Sequence, residues 1–393
     1  MRNFLAAGAA LLFTVPGPAA AMEIKTAPSG YVLAHEANPG KGYFDLMAQT
    51  IVIHNDENAP VTLGALQIDV MGDTGEVLSK TVKPDAAARQ TRKFAGMAAQ
   101  GLRVFLNAQL LNVEGLAGIA GAGAELADGT TLAPGEAALS TSHYFATDFH
   151  PASVAITVSY YGESGAAKTA RLTLPVRMHA SPIVYSAPLK GAWRISGFPN
   201  LRSHHRFIPS NEFALDFFST GPGGVLDQGA KRDPSDDYGY GAPVLAAADG
   251  EVVFIIDGQT QDPDALSRRE GESVEDARAR ITQYQFQRFA EDFRAAATGN
   301  LIVLRHEAGG SVEYSSYGHL KEESIAVKLG DKVRKGDVMA SVGNTGDSTL
   351  THLHFQLNAG SDPFFSRSLP VAFDNGEPLY IGEEPGYFMI FSE

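Results

Sequence analysis

Short apolar stretches that end at turn-forming residues recur along this chain, and they constrain its fold more than any other feature. In the first half the clearest are Thr50–His54, Val61–Met71, Ala152–Tyr161 and Thr169–Met178. Their length and spacing are typical of β-strands and predict a small β-sandwich. The stretch Asp85–Leu111 is rich in Ala, Gln and Arg instead, and it predicts one or two short helices inserted into that sandwich.

The chain divides where Pro and Gly are most dense, over residues 181–200. We predict an N-terminal β-rich domain over residues 22–180, a linker and lead-in strand over 181–200, and a second, mostly β domain over 201–393. The second domain has one interruption. From Ser273 onward, a capping-box-like start and aromatic residues at helical steps predict an inserted amphipathic helix of roughly 24 residues, with its aromatic stripe in the core.

Targeting and composition exclude several classes of function. Residues 1–21 have the order of a secretory signal peptide, with Arg2, an apolar run over Phe4–Val15 and small residues at Ala19–Ala21. That run is too short to span a bilayer, so we expect an exported protein of the periplasm or the extracellular cell wall, without a stable membrane span. A formal net charge of -14 argues against nucleic acid as the main partner. The absence of cysteine excludes disulfides and cysteine-ligated zinc.

Two histidines stand close together near the C-terminal end, in Thr351-His352-Leu353-His354-Phe355. Because side chains alternate along a strand, His352 and His354 are expected to share one face while Leu353 and Phe355 enter the core. Two imidazoles on one rigid face suit a metal ligand with a catalytic partner. A strand that carries two histidines toward solvent would show the same pattern.

An aspartate upstream offers a partner for these histidines. Asp216 lies in the apolar run Phe213–Phe218, where a carboxylate is costly unless it is paired or bound to a metal. A histidine near Asp216 and one from the later strand would make three ligands of the kind that catalytic zinc accepts, with one position left for water. From these residues alone, a salt-bridged Asp216 among unrelated histidines explains the pattern equally well.

The order of the motifs between Leu189 and Leu357 resembles the lysostaphin-like (LytM-type) zinc metalloendopeptidases, which cut peptide bonds in bacterial peptidoglycan. The motifs are LKGAW, FALDF, GAPVLAAADGEVV, GNLIVLRH, YSSYGHL, VKLGDKVRKGDVMASVGNTGDST and HLHF. The resemblance implies an antiparallel β-sheet peptidase domain, a Zn2+ cofactor and a peptidoglycan peptide substrate. It also implies the site residues, with Asp216, His354 and one of His204 and His205 as zinc ligands, and His352 and His319 as catalytic histidines.

The resemblance further implies how these residues act. Zinc lowers the pKa of bound water from about 15.7 to about 7 and polarises the carbonyl that is attacked. His352, beside the ligand His354, is expected to take the proton of the water as general base. His319 is expected to donate to the oxyanion or to hold the water, and so to stabilise the transition state.

The first zinc ligand is where this chain departs from the family pattern. The commonest family spacing, counted back from Asp216, reaches Glu212 rather than a histidine, and ten residues lie between His205 and Asp216. We predict His205 as the ligand, since an arginine directly after this histidine is familiar in the family, with His204 or Glu212 as alternatives. The long loop Gly221–Gly241 and the inserted helix are expected to narrow or cover the cleft.

Two other functions fit parts of the sequence. A non-catalytic peptidoglycan-binding regulator or scaffold on the same fold would lack a metal or catalytic residue, whereas this chain keeps four of the five family positions in register. The segment Val327–Asp337 resembles half of a lipoyl- or biotinyl-carrier domain. The turn at Asp249–Gly250 lacks the lysine that such a carrier needs, and export also argues against that role. No motif identifies a protein partner.

Overall fold

The computed structural model is mostly β, as the sequence predicts, and describes residues 22–38, 40–196, 203–226, 233–262, 264–380 and 387–391. The predicted signal segment, residues 1–21, lies outside the described residues. Within the described ranges, none of the helices has the length and apolar character that crossing a membrane requires.

The N-terminal half contains ten described strands and three helices. The strands are β1 (Met22–Ala27), β2 (Val32–Asn38), β3 (Tyr43–Asn55), β4 (Val61–Gly72), β5 (Val77–Val82), β6 (Glu125–Leu126), β7 (Thr131–Leu132), β8 (Glu136–Thr147), β9 (Pro151–Tyr161) and β10 (Ala167–Met178). The helices are α1 (Pro84–Ala99), α2 (Arg103–Gln109) and α3 (Leu116–Ala120).

The N-terminal strands form a sandwich of two sheets that share β10. Residues 167–175 of β10 pair with β9, whereas residues 176–178 pair in parallel with β2, so this strand passes from one sheet to the other. The two sheets bury a common core that includes Leu46 and Ile51 on β3 and Ile68 on β4. Apolar side chains buried between the two sheets therefore hold them together.

Helices α1 and α2 confirm the predicted helical insertion. Pro84 lies in the first turn of α1, where its missing N–H costs nothing. Gly101 separates the two helices with a φ of 83°, a conformation that favours glycine. Phe94 and Leu106 pack the pair against β3 and β8.

The C-terminal half contains the remaining described elements. The strands are β11 (Gly191–Ser196), β12 (Leu215–Phe218), β13 (Pro243–Leu245), β14 (Gly250–Ile256), β15 (Asn300–Ala308), β16 (Ser311–Leu320), β17 (Lys332–Val333), β18 (Val338–Ser341), β19 (Leu353–Asn358), β20 (Ser368–Leu369), β21 (Gly376–Tyr380) and β22 (Tyr387–Phe391). The helices are α4 (Val274–Glu291) and α5 (Phe293–Thr298).

Most of these strands form one sheet, in the order β17-β14-β15-β16-β19-β12-β11-β22-β21, while β13 and β18 pair separately. Strands β16, β19 and β12 are neighbours near the middle of this sheet. On their inner side Tyr317, Leu353, Phe355 and Phe217 are fully buried in one core. This packing makes the three strands rigid, so polar side chains on their opposite side have fixed positions.

The predicted linker is part of the C-terminal core. Ile183, Tyr185, Leu189 and Trp193 are all buried against the C-terminal sheet. Strand β11 is the predicted lead-in strand, and it pairs with β12. Residues 181–196 are therefore fixed to the sheet, while residues 197–200 lie outside the described residues.

The inserted helix forms where it was predicted, but it is broken in two. Asp292 between α4 and α5 is extended, with a φ of -149°. Its carboxylate accepts hydrogen bonds from the backbone N–H groups of Arg294 and Ala295, each at 3.1 Å, and so caps α5. The prediction of one continuous helix is therefore wrong at this residue.

The aromatic stripe of the insertion is only partly buried, which corrects the prediction that it belongs to the core. Ala277 is the buried residue of α4, and Phe286 is 41% exposed. Phe289 and Phe293 contact Phe105 of α2, with ring centroids 5.1 and 5.4 Å apart. The insertion thus packs partly against the N-terminal half of the chain.

A buried carboxylate on β16 ties the linker to the sheet. Ser181 Oγ and Tyr185 Oη donate to Glu313 Oε2 at 2.8 and 3.0 Å, and His179 Nε2 lies 3.4 Å from Oε1. Burial acts to raise the pKa of Glu313, but these three partners hold the pKa below its usual value. The stability that Glu313 contributes is therefore present above the pKa of the unfolded chain, and it is lost as pH falls through the folded pKa.

We expect Glu313→Gln to lower the free energy of unfolding by about 1–3 kcal/mol at pH 7, because it removes hydrogen bonds to a charged acceptor. The difference from wild type should begin to shrink below about pH 4.3, the ordinary pKa of Glu in an unfolded chain, and should vanish below the lower pKa of the folded protein. Urea unfolding followed by circular dichroism between pH 7 and pH 3 measures both effects. The exposed Glu307→Gln is the control, and parallel pH profiles for wild type and Glu313→Gln would contradict the assignment.

Candidate metal centre and active site

Three neighbouring strands bring distant polar residues into one row. Asp216 on β12 pairs with His354 on β19, and His354 pairs with Gly318 on β16, directly before His319. The residues that flank Asp216 and His354 on their own strands point into the core, because side chains alternate. β pairing therefore places Asp216 and His354 on the polar side of the sheet, whereas His319 follows Gly318 and departs from the strand alternation with a φ of 58°.

Four histidines surround the Asp216 carboxylate, which is buried. His205 Nε2 lies 3.4 Å from Oδ2, and His204 Nε2 lies 4.0 Å from the same oxygen. His354 Nδ1 lies 3.0 Å from Oδ1, and His352 Nε2 lies 3.6 Å from it. Each carboxylate oxygen thus faces two imidazoles, and His352 and His354 share one face as predicted.

His205 presents an unprotonated nitrogen to Asp216. Its Nδ1 lies 3.2 Å from the carbonyl oxygen of Ala214, which can only accept a hydrogen bond. The proton of neutral His205 is therefore on Nδ1, and the bare Nε2 faces the carboxylate. A carbonyl that fixes the tautomer in this way is the usual partner of a metal-bound histidine.

His354 is oriented in the same manner through its other nitrogen. Its Nε2 lies 2.8 Å from Gln356 Oε1, and Gln356 Nε2 donates to the carbonyl oxygen of Pro363 at 3.0 Å, which fixes the amide orientation. Nε2 therefore donates, and neutral His354 has a bare Nδ1 toward Asp216. Two electron-pair donors 3.0 Å apart require a cation between them, either a proton or a metal ion.

The donor set fits zinc. Two imidazole nitrogens and one carboxylate oxygen are ligands that Zn2+ accepts, and each imidazole is oriented by a hydrogen bond on its far side. Among the described residues, His204, His205 and Asp216 form a group whose possible ligand atoms all lie within 4.8 Å of one another. His354 is not part of that group, but its Nδ1 lies 3.0 Å from the other oxygen of the same carboxylate.

His319 and His352 complete the site, and backbone carbonyl groups orient them in the same way as His205. His319 Nδ1 donates to Thr345 O and His352 Nδ1 donates to Leu350 O, each at 2.7 Å. In both residues Nε2 is therefore the bare nitrogen, and the two ring centroids are 4.5 Å apart. The ring of His352 also stacks on Phe218, with centroids 4.9 Å apart.

His319 has a φ of 58°, in the left-handed region that non-glycine residues rarely adopt. Such a conformation costs about 1–3 kcal/mol and tends to occur at functional sites. The hydrogen bond to Thr345 and complete burial hold the residue there.

Burial and local charge shift the pKa values of this group. Burial lowers the pKa of His205 to about 3 and also lowers the pKa values of His319 and His352. Burial acts to lower the pKa of His354 as well, but the Asp216 carboxylate more than offsets it and the pKa rises. Burial acts to raise the pKa of Asp216, whereas the neighbouring histidines hold it well below its usual range. Neutral imidazoles are the form that ligands and general bases require.

The three candidates for the first ligand differ in burial and position, and both His204 and His205 belong to the group of close ligand atoms. His205 is buried beside Asp216, whereas the side chain of His204 is 71% exposed at the rim. Glu212 points elsewhere, with Oε1 3.5 Å from Arg206 Nη1, and it is not in the group of close ligand atoms. The alternative of Glu212 as a ligand is therefore not supported by its position.

The loop over residues 221–241, described apart from 227–232, reaches the lead-in to β19. Asp237 Oδ2 accepts a hydrogen bond from Thr351 N at 3.0 Å, and Thr351 Oγ1 donates to Pro234 O at 3.3 Å. The described part of this loop therefore forms a wall beside His352, in keeping with the expectation that it narrows the cleft.

A buried group of His and Asp side chains on a mostly β fold is an arrangement that metallopeptidases use. Within that class, residues 288–365 match peptidase family M23, which confirms the resemblance to lysostaphin-like peptidases. The matched segment contains His319, His352 and His354. His205 and Asp216 lie upstream of it, and the fold brings them to the same site.

Other proteins of known sequence or structure are similar to parts of this chain. A 59-residue stretch is 42% identical to an uncharacterized metalloprotease of Buchnera aphidicola subsp. Baizongia pistaciae, covering 15% of this chain and 14% of that protein. The chain thus spans about one seventh of the length of that curated relative. The catalytic domain of lysostaphin from Staphylococcus simulans is 20% identical, over 48% of this chain and 86% of that one, with a TM-score of 0.22. A zinc-containing peptidase from Vibrio cholerae is 12% identical, over 86% and 85%, with a TM-score of 0.26. Both TM-scores are low, and the likeness to family M23 is carried by the sequence match over residues 288–365.

Sequence reasoning missed the residues that orient the histidines. Gln356 could have been found, because it follows His352 and His354 at the same two-residue step and so shares their face. The carbonyl groups of Ala214, Thr345 and Leu350 carry no sequence signal, since any residue type supplies a carbonyl oxygen.

Proposed function

We propose that this protein is an exported zinc metalloendopeptidase that hydrolyses peptide bonds in bacterial peptidoglycan. The observation that carries the proposal is the convergence of bare nitrogens from His205 and His354 on Asp216, with two further bare imidazole nitrogens beside them. The match to peptidase family M23 supports a peptide bond as the target. Peptidoglycan follows from the lysostaphin-like motifs, and it lies outside the cytoplasmic membrane, where an exported protein would act.

His205 Nε2, an Asp216 oxygen and His354 Nδ1 are the atoms that would hold the ion. Zinc bound there would lower the pKa of a water from about 15.7 to about 7 and polarise the scissile carbonyl. The hydrogen bonds from His205 to Ala214 and from His354 to Gln356 keep both ligand nitrogens unprotonated and correctly turned.

His352 acts as the general base. Its Nε2 is bare, directed at the centre and 3.6 Å from Asp216 Oδ1. When water attacks the peptide carbonyl, Nε2 takes up the proton, and the resulting imidazolium is stabilised by the hydrogen bond from Nδ1 to Leu350 O. The proton then passes to the leaving amine. Phe218, stacked on the ring, keeps water from that side.

His319 positions the attacking water and then stabilises the transition state. With its proton on Nδ1, its Nε2 first accepts a hydrogen bond from the water. It keeps this hydrogen bond while His352 takes up the other proton of the water, and it stabilises the transition state by holding the water in line for attack. The strained backbone and the bond to Thr345 hold this nitrogen in one direction.

The function is tested with purified protein of residues 22–393. We expect about one zinc per chain by elemental analysis and release of soluble peptides from purified peptidoglycan. Removal of zinc by a chelator should stop the release, and added Zn2+ should restore it.

Two outcomes would contradict the proposal in different ways. A protein that sediments with peptidoglycan but releases no peptide, with or without added zinc, would be a scaffold on a peptidase fold. A correctly folded protein that binds no zinc would remove the basis for metal-dependent hydrolysis.

A further inference from the structure

The residue directly after the candidate ligand His205 is a fully buried arginine. Arg206 is 0% exposed, and its charge must be paired to be tolerated there. Its closest carboxylate lies in the N-terminal sandwich: Arg206 Nη2 donates to Asp45 Oδ1 on β3 at 2.7 Å. Asp45 is itself only 1% exposed. A buried ion pair therefore joins the two halves of the chain one residue away from the metal centre.

The same strand also holds the backbone of Arg206. Gln49 Nε2 donates to the carbonyl oxygen of Arg206 at 2.8 Å, and Gln49 is 4% exposed. Asp45 and Gln49 are four positions apart on β3, so they lie on the same face of the strand. One face of β3 thus fixes Arg206 at both the guanidinium group and the main chain.

Aromatic rings complete the pocket around the guanidinium. Its Cζ lies 5.1 Å from the ring centroid of Phe213 and 5.7 Å from that of Tyr144. Tyr144 belongs to β8, the neighbour of β3, while Phe213 immediately precedes the strand region that carries Asp216. Both halves of the chain therefore contribute to the pocket, and an arginine seated in it has little freedom to turn.

The segment that carries His205 has little support of its own. It is a single 3-10 turn, His204–Phe207, without a side-chain cap at Ser203, and hydrogen bonds in such turns have poor geometry. On the C-terminal side, Asn358 Nδ2 holds the chain at Ser210 O with a bond of 2.9 Å. On the other side Arg206 contacts Asp45 and Gln49 of β3, and its Nη1 lies 3.5 Å from Glu212 Oε1. Ala214 O sets the direction of the His205 ring, while the position of the His205 main chain depends on where the N-terminal sandwich holds Arg206.

We propose that Asp45 and Gln49 are positioning residues for the metal centre, and that the N-terminal sandwich holds the ligand His205 in place through Arg206. This inference rests on the proposed function in taking His205 as a zinc ligand. It gives the N-terminal half a role in building the active site, in addition to any contact with the cell wall.

The test compares the zinc affinity of the full-length wild type with that of a variant that lacks the Asp45 carboxylate. Substituting a partner that orients a metal ligand typically weakens metal binding by about 10- to 100-fold, and we expect this loss for Asp45→Asn in competition with a chromophoric chelator. Glu57→Gln is the matched control, because Glu57 pairs with Lys168 at 2.8 Å within the N-terminal half. Its zinc affinity should equal that of wild type.

A second variant keeps the test decisive if Asp45→Asn misfolds, because that substitution leaves the buried Arg206 without its carboxylate partner. Gln49→Met keeps the shape of the side chain but removes the donor to Arg206 O, and it should weaken zinc binding less than Asp45→Asn does. Visible absorption of the Co2+-substituted proteins should change in both variants, because the ligand field depends on the position of His205. Thermal unfolding of the metal-free forms separates this effect from a loss of global stability.

The outcomes distinguish this inference from the proposed function. Wild-type protein without zinc affinity would overturn the proposed function itself. If the wild type binds zinc, and folded Asp45→Asn and Gln49→Met have the same zinc affinity and Co2+ spectra as the wild type, only the positioning role would be overturned. If Asp45→Asn does not fold, Gln49→Met decides. An equal loss of affinity in Glu57→Gln would also overturn the inference.

Discussion

His352→Ala is expected to reduce peptide release from peptidoglycan by about 10²- to 10⁴-fold, the usual contribution of a general base, while zinc remains bound. The physical reason is that His352 offers a bare Nε2 to the centre but is not needed to complete the ligand set. Its Nδ1 is already committed to the Leu350 carbonyl. Peptide release and zinc content, measured on the same preparation, test both parts of the prediction.

His354→Ala provides the contrast on the same strand face. It should lose both zinc and activity, because His354 Nδ1 faces Asp216 Oδ1 at 3.0 Å. His143→Ala removes a buried histidine of the N-terminal half, bonded to Ser140 Oγ at 2.9 Å, and controls for the loss of any buried imidazole. Full activity in His352→Ala would refute the general-base role, and loss of zinc in that variant would show that His352 is itself a ligand.

His205→Ala is expected to abolish stable zinc binding, whereas His204→Ala should keep the zinc content of wild type. The loss in His205→Ala should exceed the ~10- to 100-fold that substitution of a ligand's hydrogen-bond partner costs, since one of three ligands is removed. His205 is buried with its tautomer fixed by Ala214 O, whereas the side chain of His204 is 71% exposed. Equilibrium dialysis with Zn2+ measures both variants.

The exposed pair of His150 and Asp73, 2.9 Å apart, offers a control for the removal of a surface histidine. His150→Ala should match wild type in zinc content and activity. If His204→Ala lost zinc while His205→Ala kept it, the choice of first ligand would be reversed. Equal losses in both variants would indicate that the two histidines share the ion.

Much of the fold was open to prediction because it depends on neighbours in the sequence. A short apolar run marks β3, alternation of apolar and polar residues marks β9 and β19, and the Ala-rich stretch marks α1 and α2. The break at Asp292 was missed because the helical spacing of the aromatic residues continues through it. Spacing does not show that the Asp292 side chain bonds to the backbone and caps a second helix. The exposure of Phe286 was missed because periodicity does not reveal whether another element covers a helix face.

The candidate site was partly predictable for the same reason. The step of two that joins His352, His354 and Gln356 places them on one face before any fold is known. Asp216 drew attention because a carboxylate in an apolar strand needs a partner. The choice among His204, His205 and Glu212 could not be made from spacing, because the ten residues between His205 and Asp216 form no regular element that would fix their separation.

By itself, the sequence determined the β character of the chain, the shared face of His352 and His354 and the resemblance to peptidase family M23. Tertiary structure alone decided which histidine meets Asp216, which carbonyl groups set the tautomers, and that Asp45 pairs with Arg206 across 161 positions. The physical reason is range. Backbone geometry and alternation are set by adjacent residues, whereas the partner of a buried charge or of a ring nitrogen depends on elements that only folding brings together.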